Sequence, residues 1–113
     1  MELTNPYITR LVRAALREDR AYQDVTSRTL FRHREKAHGY VIYKGQEPGI
    51  ICGLNFALTA FVCLNPKTQL KILTKEGNSA NRGRKILYVQ GSAQSILAAE
   101  RTALNFLGHL TGI

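Results

Sequence analysis

A chain of 113 residues suits a single domain, residues 1–113, and leaves little room for a second. At 44% hydrophobic residues it can bury a core, yet its longest apolar runs, such as Phe56 to Leu64, are far too short to cross a bilayer. Sixteen Lys and Arg against eight Asp and Glu give a net charge of +8, but the excess is spread along the chain and no RNA-recognition, zinc-finger or KH-type signature accompanies it. An anionic small molecule accounts for such a surplus as well as nucleic acid does, and no nucleic-acid partner is expected. The start, Met1 to Thr4, carries no basic segment leading into an apolar one. A cytoplasmic protein without a membrane partner is the expectation.

Asn5-Pro6 reads as an N-cap followed by proline at the first helical position. Ile8, Leu11, Val12, Ala15 and Leu16 recur at helical spacing, which predicts an amphipathic helix over 6–18. Its other face bears Arg10, Arg13 and Arg17, a solvated face or an anion site. Asp24 to Ser27 can cap a turn. Residues 36–44 are rich in β-formers and predict a strand, with a brief second strand at Ile50 and Ile51 after Gly45 and Pro48-Gly49. Leu54 to Leu64 turns helical and stops at Asn65-Pro66.

Thr68 to Lys75 alternates as a strand, Glu76-Gly77-Asn78 forms a turn, and a loop runs through Gly83. Lys85 to Gln90 alternates again until Gly91 breaks it. Ser92 can cap a last helix whose apolar residues include Ile96, Leu97, Ala103, Leu104 and Leu107, with Gly112 suited to its end. The order α-β-β-α-β-β-α indicates an α+β fold, helices packed on a mostly antiparallel sheet. Cys52 and Cys63, with ten residues between them and in apolar surroundings, read as reduced core thiols.

The sequence holds no P-loop, dinucleotide loop, Gly-x-Ser-x-Gly elbow or Cys-x-x-Cys pair, so no catalytic residue is assigned. His33, His38 and His109 lack ligand spacing, and no metal site is assigned. On a helical wheel Glu100 falls inside the stripe of Ala93, Ile96, Leu97, Leu104 and Leu107, where a carboxylate needs a cation or backbone donors. Arg101 lies at the stripe's border, one turn from Asn105. Two readings stand level on physics: a structural salt bridge with Arg101 reaching solvent, or Glu100 pinning local architecture while Arg101 offers its fork to a carboxylate.

The run Gly91 to Leu107, with its Glu100-Arg101-Thr102-Ala103-Leu104-Asn105 core and the continuation Thr111-Gly112-Ile113, resembles the domain-joining helix of quinolinate phosphoribosyltransferases. Asp24-Val25-Thr26 resembles the family's Asp-x-Thr turn, and Pro48 to Leu54 its glycine-bounded apolar segment. Glu76-Gly77, Gly83 and Val89-Gln90-Gly91 resemble its hairpin, with Glu76-Gly77-Asn78 in place of the commoner Asp-Gly-Asp. The match runs in order through essentially the whole chain. It implies an open-faced sandwich of the α/β-hammerhead type, with an about four-stranded, mostly antiparallel sheet and helices on one face.

It further implies an α/β barrel beyond Ile113 and conversion of quinolinate and phosphoribosyl pyrophosphate to nicotinate mononucleotide, carbon dioxide and pyrophosphate, a step of NAD biosynthesis. Magnesium would accompany phosphoribosyl pyrophosphate in the barrel and not in this chain, which is expected to be inactive alone. The partners implied are quinolinate, the barrel of the same or a neighbouring subunit, and further copies in a dimer or higher homo-oligomer. Arg101 would reach across to a quinolinate carboxylate. Glu100 and Asn105 would orient the arginine or the following turn, and Asp24 and Thr26 would fix a structural turn.

Rivals remain. One is a phosphoribosyltransferase-like relative associated with molybdenum transport, against which the Glu100-Arg101 pair weighs. Another is a biotinyl- or lipoyl-type hammerhead carrier, which needs an exposed lysine at a hairpin tip, a part Lys85 suits poorly. The knot Arg82, Arg84 and Lys85 reads as a solvated hairpin or as a phosphate or interface contact.

Overall fold

A computed structural model describes residues 5–22 and 35–111, apart from the side chains of residues 109 and 110. The expected turn at Asp24 and Thr26, and the cap at Gly112, lie outside these residues. Helix α1 spans Pro6–Glu18. The Asn5 carboxamide oxygen accepts from the Tyr7 and Ile8 amides at 2.9 and 3.2 Å, satisfying two donors that a helix start leaves open. Val12 and Leu16 are fully buried, whereas Leu11, placed in the same stripe by periodicity, is exposed.

Strand β1 spans Lys36–Ile42 and alternates in burial, with Ala37, Gly39 and Val41 turned toward the core and His38, Tyr40 and Ile42 toward solvent. Strand β2 is the short Gly49–Ile50. Between them the loop folds over the Tyr43 ring, whose hydroxyl donates to the Glu47 carbonyl at 2.7 Å. A Cβ at Gly49, the first residue of β2, would stand 2.5 Å from that hydroxyl, so the close approach of the ring needs glycine there.

Helix α2, Leu54–Leu64, buries Leu54, Ala57, Leu58, Thr59, Ala60 and Phe61 and packs against the other two helices, so it is apolar on nearly every side. It ends at Asn65, before Pro66, as the sequence predicts. Strand β3 is Gln69–Ile72, β4 is Ser79–Ala80, and β5 is Lys85–Ser92. Helix α3, Ala93–Thr111, closes the described chain.

Strand β5 lies centrally in a three-stranded antiparallel sheet of order β1-β5-β3, pairing Tyr40 with Tyr88 and Lys71 with Tyr88. Strands β2 and β4 form a separate two-stranded ribbon. The expected sheet of about four strands is therefore three plus two. Ser79–Ala80 carries no alternating β signal, so its pairing is not readable from sequence, and a register shift between Val41 and Ile42 precedes the last pair of the β1–β5 ladder, Ile42 with Lys85. Gly91 does not break β5. It pairs with Ala37, and a Cβ there would sit 3.4 Å from the Thr68 Cα, so the glycine permits close approach within a continuing strand.

Leu87, Val89 and Val41 join the helices in one core, leaving the opposite sheet face without a helix among the described residues. That face carries the Tyr40–Tyr88 ring pair at 5.3 Å and the His38–Tyr88 pair at 6.1 Å. The architecture is an α+β open sandwich with helices on one side.

A candidate substrate-clamping helix

Helix α3 starts where the Ser92 hydroxyl receives the Ser95 amide at 3.5 Å and the Ala93 amide donates to the Glu35 carbonyl at 3.0 Å. Its buried seam consists of Ser95, Ala98, Ala99, Thr102, Ala103 and Leu107. The wheel stripe is right for Ala93 and Leu107, which are buried, and for Ile96, which packs against the core, but not for its two other leucines. Leu97 and Leu104 are 43% and 39% exposed. Large side chains dominate a hydrophobicity pattern, but small residues let two helices approach closely, and the alanines win the interface.

Glu100 is accordingly exposed, not buried in an apolar stripe, and needs no compensating cation. It lines a groove of about 520 Å³ between α3 and β1, together with Ile42, Leu97 and Leu104. Asn105, also exposed, falls on the other flank, in a cleft of about 650 Å³ shared with Leu11 and Glu18 of α1 and Asp19 at its C-cap. The structure thus does not bring Glu100 and Asn105 to one side of the arginine.

Arg101 stands between them. Two residues past the fully buried Ala99, it is rotated about 200° from the seam. It is exposed, with Leu97 one turn before it and Leu104 and Asn105 one turn after. No hydrogen bond or ion pair engages its guanidinium among the described residues. Five donors in a rigid fork on an apolar-flanked ridge suit a planar carboxylate.

Two supports of this ridge escaped the sequence reading. Thr102, 1% exposed, donates its hydroxyl to the Asp19 carboxylate at 2.5 Å, tying the end of α1 to α3 beside Arg101. The signal available was a lone threonine in an alanine-rich helix, a residue that disfavours helix interiors unless its hydroxyl is used. Glu76 is more than a turn residue. Its two carboxylate oxygens each accept an amide of the α2 start, Gly53 and Leu54, at 3.0 Å. Gly53 has φ 92° and no side chain to cap with, so a carboxylate from 23 residues away fills the role.

The basic knot is dispersed into internal contacts. Arg82 donates to the Lys44 carbonyl at 3.1 Å and Arg84 to the Thr74 hydroxyl at 3.0 Å. The Lys85 ammonium lies 4.2 Å from the centre of the Tyr40 ring, where a swinging-arm lysine would not rest. On α1, Arg13 and Arg17 face Tyr22, whose phenol is pushed above its ordinary range by burial and by the Cys63 thiol, while the two arginines oppose the shift. Cys52 and Cys63 are free and half-buried. Among the described residues no group of three or more His, Cys, Asp and Glu side chains could hold a metal ion. No helix among them is long and apolar enough to cross a membrane.

The described residues thus form an open α+β sandwich with an unengaged, exposed arginine on its longest described helix. The family model for the quinolinate phosphoribosyl transferase N-terminal domain matches residues 24–111. The chain belongs to that family. It is 35% identical over 107 residues to a probable carboxylating nicotinate-nucleotide pyrophosphorylase of Methanocaldococcus jannaschii, covering 95% of this chain and 36% of the relative. The chloroplastic carboxylating enzyme of Arabidopsis thaliana is 31% identical, over 91% of this chain and 29% of its own length. Among solved structures, NadC from Streptococcus pyogenes superposes with a TM-score of 0.86 at 32% identity, over 99% of this chain and 39% of that one. The nicotinate-nucleotide pyrophosphorylase of Francisella tularensis gives 0.77 at 34%, over 88% and 35%. The chain spans about a third of the length of these relatives.

Proposed function

We propose that this domain supplies the arginine clamp of an enzyme that converts quinolinate and phosphoribosyl pyrophosphate to nicotinate mononucleotide, carbon dioxide and pyrophosphate. The observation that carries the reading is the guanidinium of Arg101, set opposite the buried seam of α3 and without a partner among the described residues. A guanidinium so placed cannot stabilise its own domain. It can grip, through two parallel hydrogen bonds, a carboxylate presented by another domain. The names of the relatives supply the substrate: they are pyrophosphorylases of nicotinate nucleotide and phosphoribosyltransferases of quinolinate.

In this reading the acid and phosphoribosyl pyrophosphate, with its magnesium, sit in a barrel domain of the same or a neighbouring subunit. This domain closes over them within a homo-oligomer. Asn105 steadies the arginine from one turn away, and Glu100 acts from the opposite flank by favouring the guanidinium's outward pose. Asp24 and Thr26 fix a turn, and the chain alone is inactive. The proposed location is the cytoplasm, although the names of plant relatives place theirs in chloroplasts and mitochondria, and fractionation of the native cells decides between them.

The test joins residues 1–113 to the remaining part of the Methanocaldococcus jannaschii relative and follows nicotinate mononucleotide formation. Arg101→Ala should raise KM for quinolinate by about 10- to 150-fold, the equivalent of losing about 1.5–3 kcal/mol of charge-assisted hydrogen bonding. Arg101→Lys should recover only part, since an ammonium lacks the fork. The melting temperature of the domain should stay within about 1 °C, as for other exposed, unengaged side chains. Unaltered KM and kcat in Arg101→Ala would remove the clamp from the mechanism.

A further inference from the structure

The last residue described on α3 is tied back to the domain by an unusual pair of bonds. The Thr111 hydroxyl oxygen accepts the Cys52 amide at 3.1 Å and donates its proton to the Cys52 carbonyl at 3.1 Å, across 59 residues of sequence. One hydroxyl can do both, having one donor and two acceptor sites. A threonine in a helix more often turns its hydroxyl back to a carbonyl of the preceding turn. Here it reaches another segment, and it takes up both backbone groups of a residue that lies beyond the end of β2.

Cys52 lies between two residues whose backbone is hydrogen-bonded to the 76–78 turn. Ile51 beside it is 0% exposed, donates to the Asn78 carbonyl at 2.9 Å and accepts from the Gly77 amide at 2.8 Å. Gly53 on its other side donates to Glu76. Thr111 is therefore held to a fixed point. Arg101 lies ten residues upstream on the same helix, about 15 Å along its axis. A tilt of about 5° at the helix end would move it by roughly 1 Å, a displacement large enough to matter for a carboxylate clamp.

We infer that Thr111 is a positioning residue: its double hydrogen bond to Cys52 sets the pitch of the C-terminal half of α3 and so the place from which Arg101 is presented. The inference rests on the clamp reading for its functional consequence, but its structural half stands by itself and is tested separately. The relatives carry this segment as the N-terminal domain of a chain about three times as long. In such a chain the same clasp governs the direction of the backbone as it leaves the domain.

In the 113-residue protein, residual dipolar couplings of the α3 amides report the helix's orientation, and labelling with a thiol reagent reports access to Cys52. Thr111→Val keeps the shape and deletes the hydroxyl, while Thr111→Ser keeps the hydroxyl. Thr111→Ala serves if valine disturbs the packing. Loss of the hydroxyl should shift the couplings of residues 101–111, speed amide exchange at Cys52, and label Cys52 several-fold faster. Cys63 should keep its rate as the internal control, and Thr111→Ser should match the wild type. In the joined enzyme, Thr111→Val should raise KM for quinolinate several-fold more than it lowers kcat, with rescue by serine.

Unchanged couplings in residues 101–111 of Thr111→Val would overturn the positioning role. So would shifted couplings with wild-type KM in a joined enzyme that is otherwise active. A joined wild-type enzyme that makes no product, or in which Arg101→Ala has no effect, defeats the clamp reading instead and leaves the couplings to judge Thr111.

Discussion

Removing the Glu76 side chain should destabilise the domain through a helix 22 residues away. Helix α2 is the buried middle of the helical layer, and its first amides have no side-chain cap of their own because Gly53 occupies the N-cap. Both Glu76 oxygens are engaged, one on each of two adjacent amides at 3.0 Å, and the negative charge sits where the helix dipole favours it. Replacing an N-cap acceptor costs about 0.5–2 kcal/mol, and a hydrogen bond to a charged group about 1.5–3 kcal/mol. Glu76 is exposed enough for water to replace part of this. Glu76→Ala should therefore cost about 1–2 kcal/mol, which for a domain near 100 residues lowers the melting temperature by roughly 5–10 °C.

Melting followed by helical circular dichroism at neutral pH measures this directly, with a urea titration to verify that the m-value is unchanged. Glu76→Gln sharpens the test. Its single carbonyl oxygen can take one amide, while its NH2 would confront the other, so it should lose about half the stabilisation or more. Lys75→Ala, an exposed neighbour, should move stability by less than about 0.5 kcal/mol. A Glu76→Ala melting temperature within about 1 °C of the wild type would refute the long-range cap.

Thr102→Val keeps the buried shape but removes the donor to Asp19, and should lower stability by about 1–2 kcal/mol in urea unfolding, with Thr102→Ser close to wild type. Tyr22 supplies an alkaline signature. Its phenol is held above its ordinary value by burial, so the folded state keeps the proton longer than the unfolded chain. That contribution is complete below about pH 10 and is lost as pH rises through the folded value. The urea midpoint of Tyr22→Phe should accordingly fall less steeply than the wild type's above about pH 10.

Elements whose signals are local were legible. Asn5-Pro6 marked the start of α1 because cap and first-turn chemistry are confined to adjacent residues, and Asn65-Pro66 ended α2 for the same reason. The long strands showed their alternation, and the cysteines are unpaired as their neighbourhood suggested, though half-buried and not fully in the core. What failed depended on partners far away in sequence. The side chain of Glu76 caps a helix that precedes it, Thr111 closes on Cys52, and Thr102 meets Asp19 across 83 residues. Strand β4, only two residues long, exists because β2 lies beside it and not because Ser79 and Ala80 favour extension.

The misplaced seam of α3 bears most on function. Ranking residues by hydrophobicity puts Glu100 inside the stripe and Arg101 at its border, whereas both are exposed. With alanines and Thr102 in the contact, α3 lies close enough to α1 for a hydroxyl to reach Asp19. A leucine seam would hold the helix farther out and break that bond. Close packing of side chains with few rotamers also leaves little freedom to the backbone beneath Arg101. The exposed Leu97 and Leu104 lie one turn from Arg101, where they thin the water around the guanidinium and would strengthen its hold on an anion in the proposed clamp. The alanine seam thus does two things at once: it fixes the platform and it releases apolar surface to the ridge where the charge is presented.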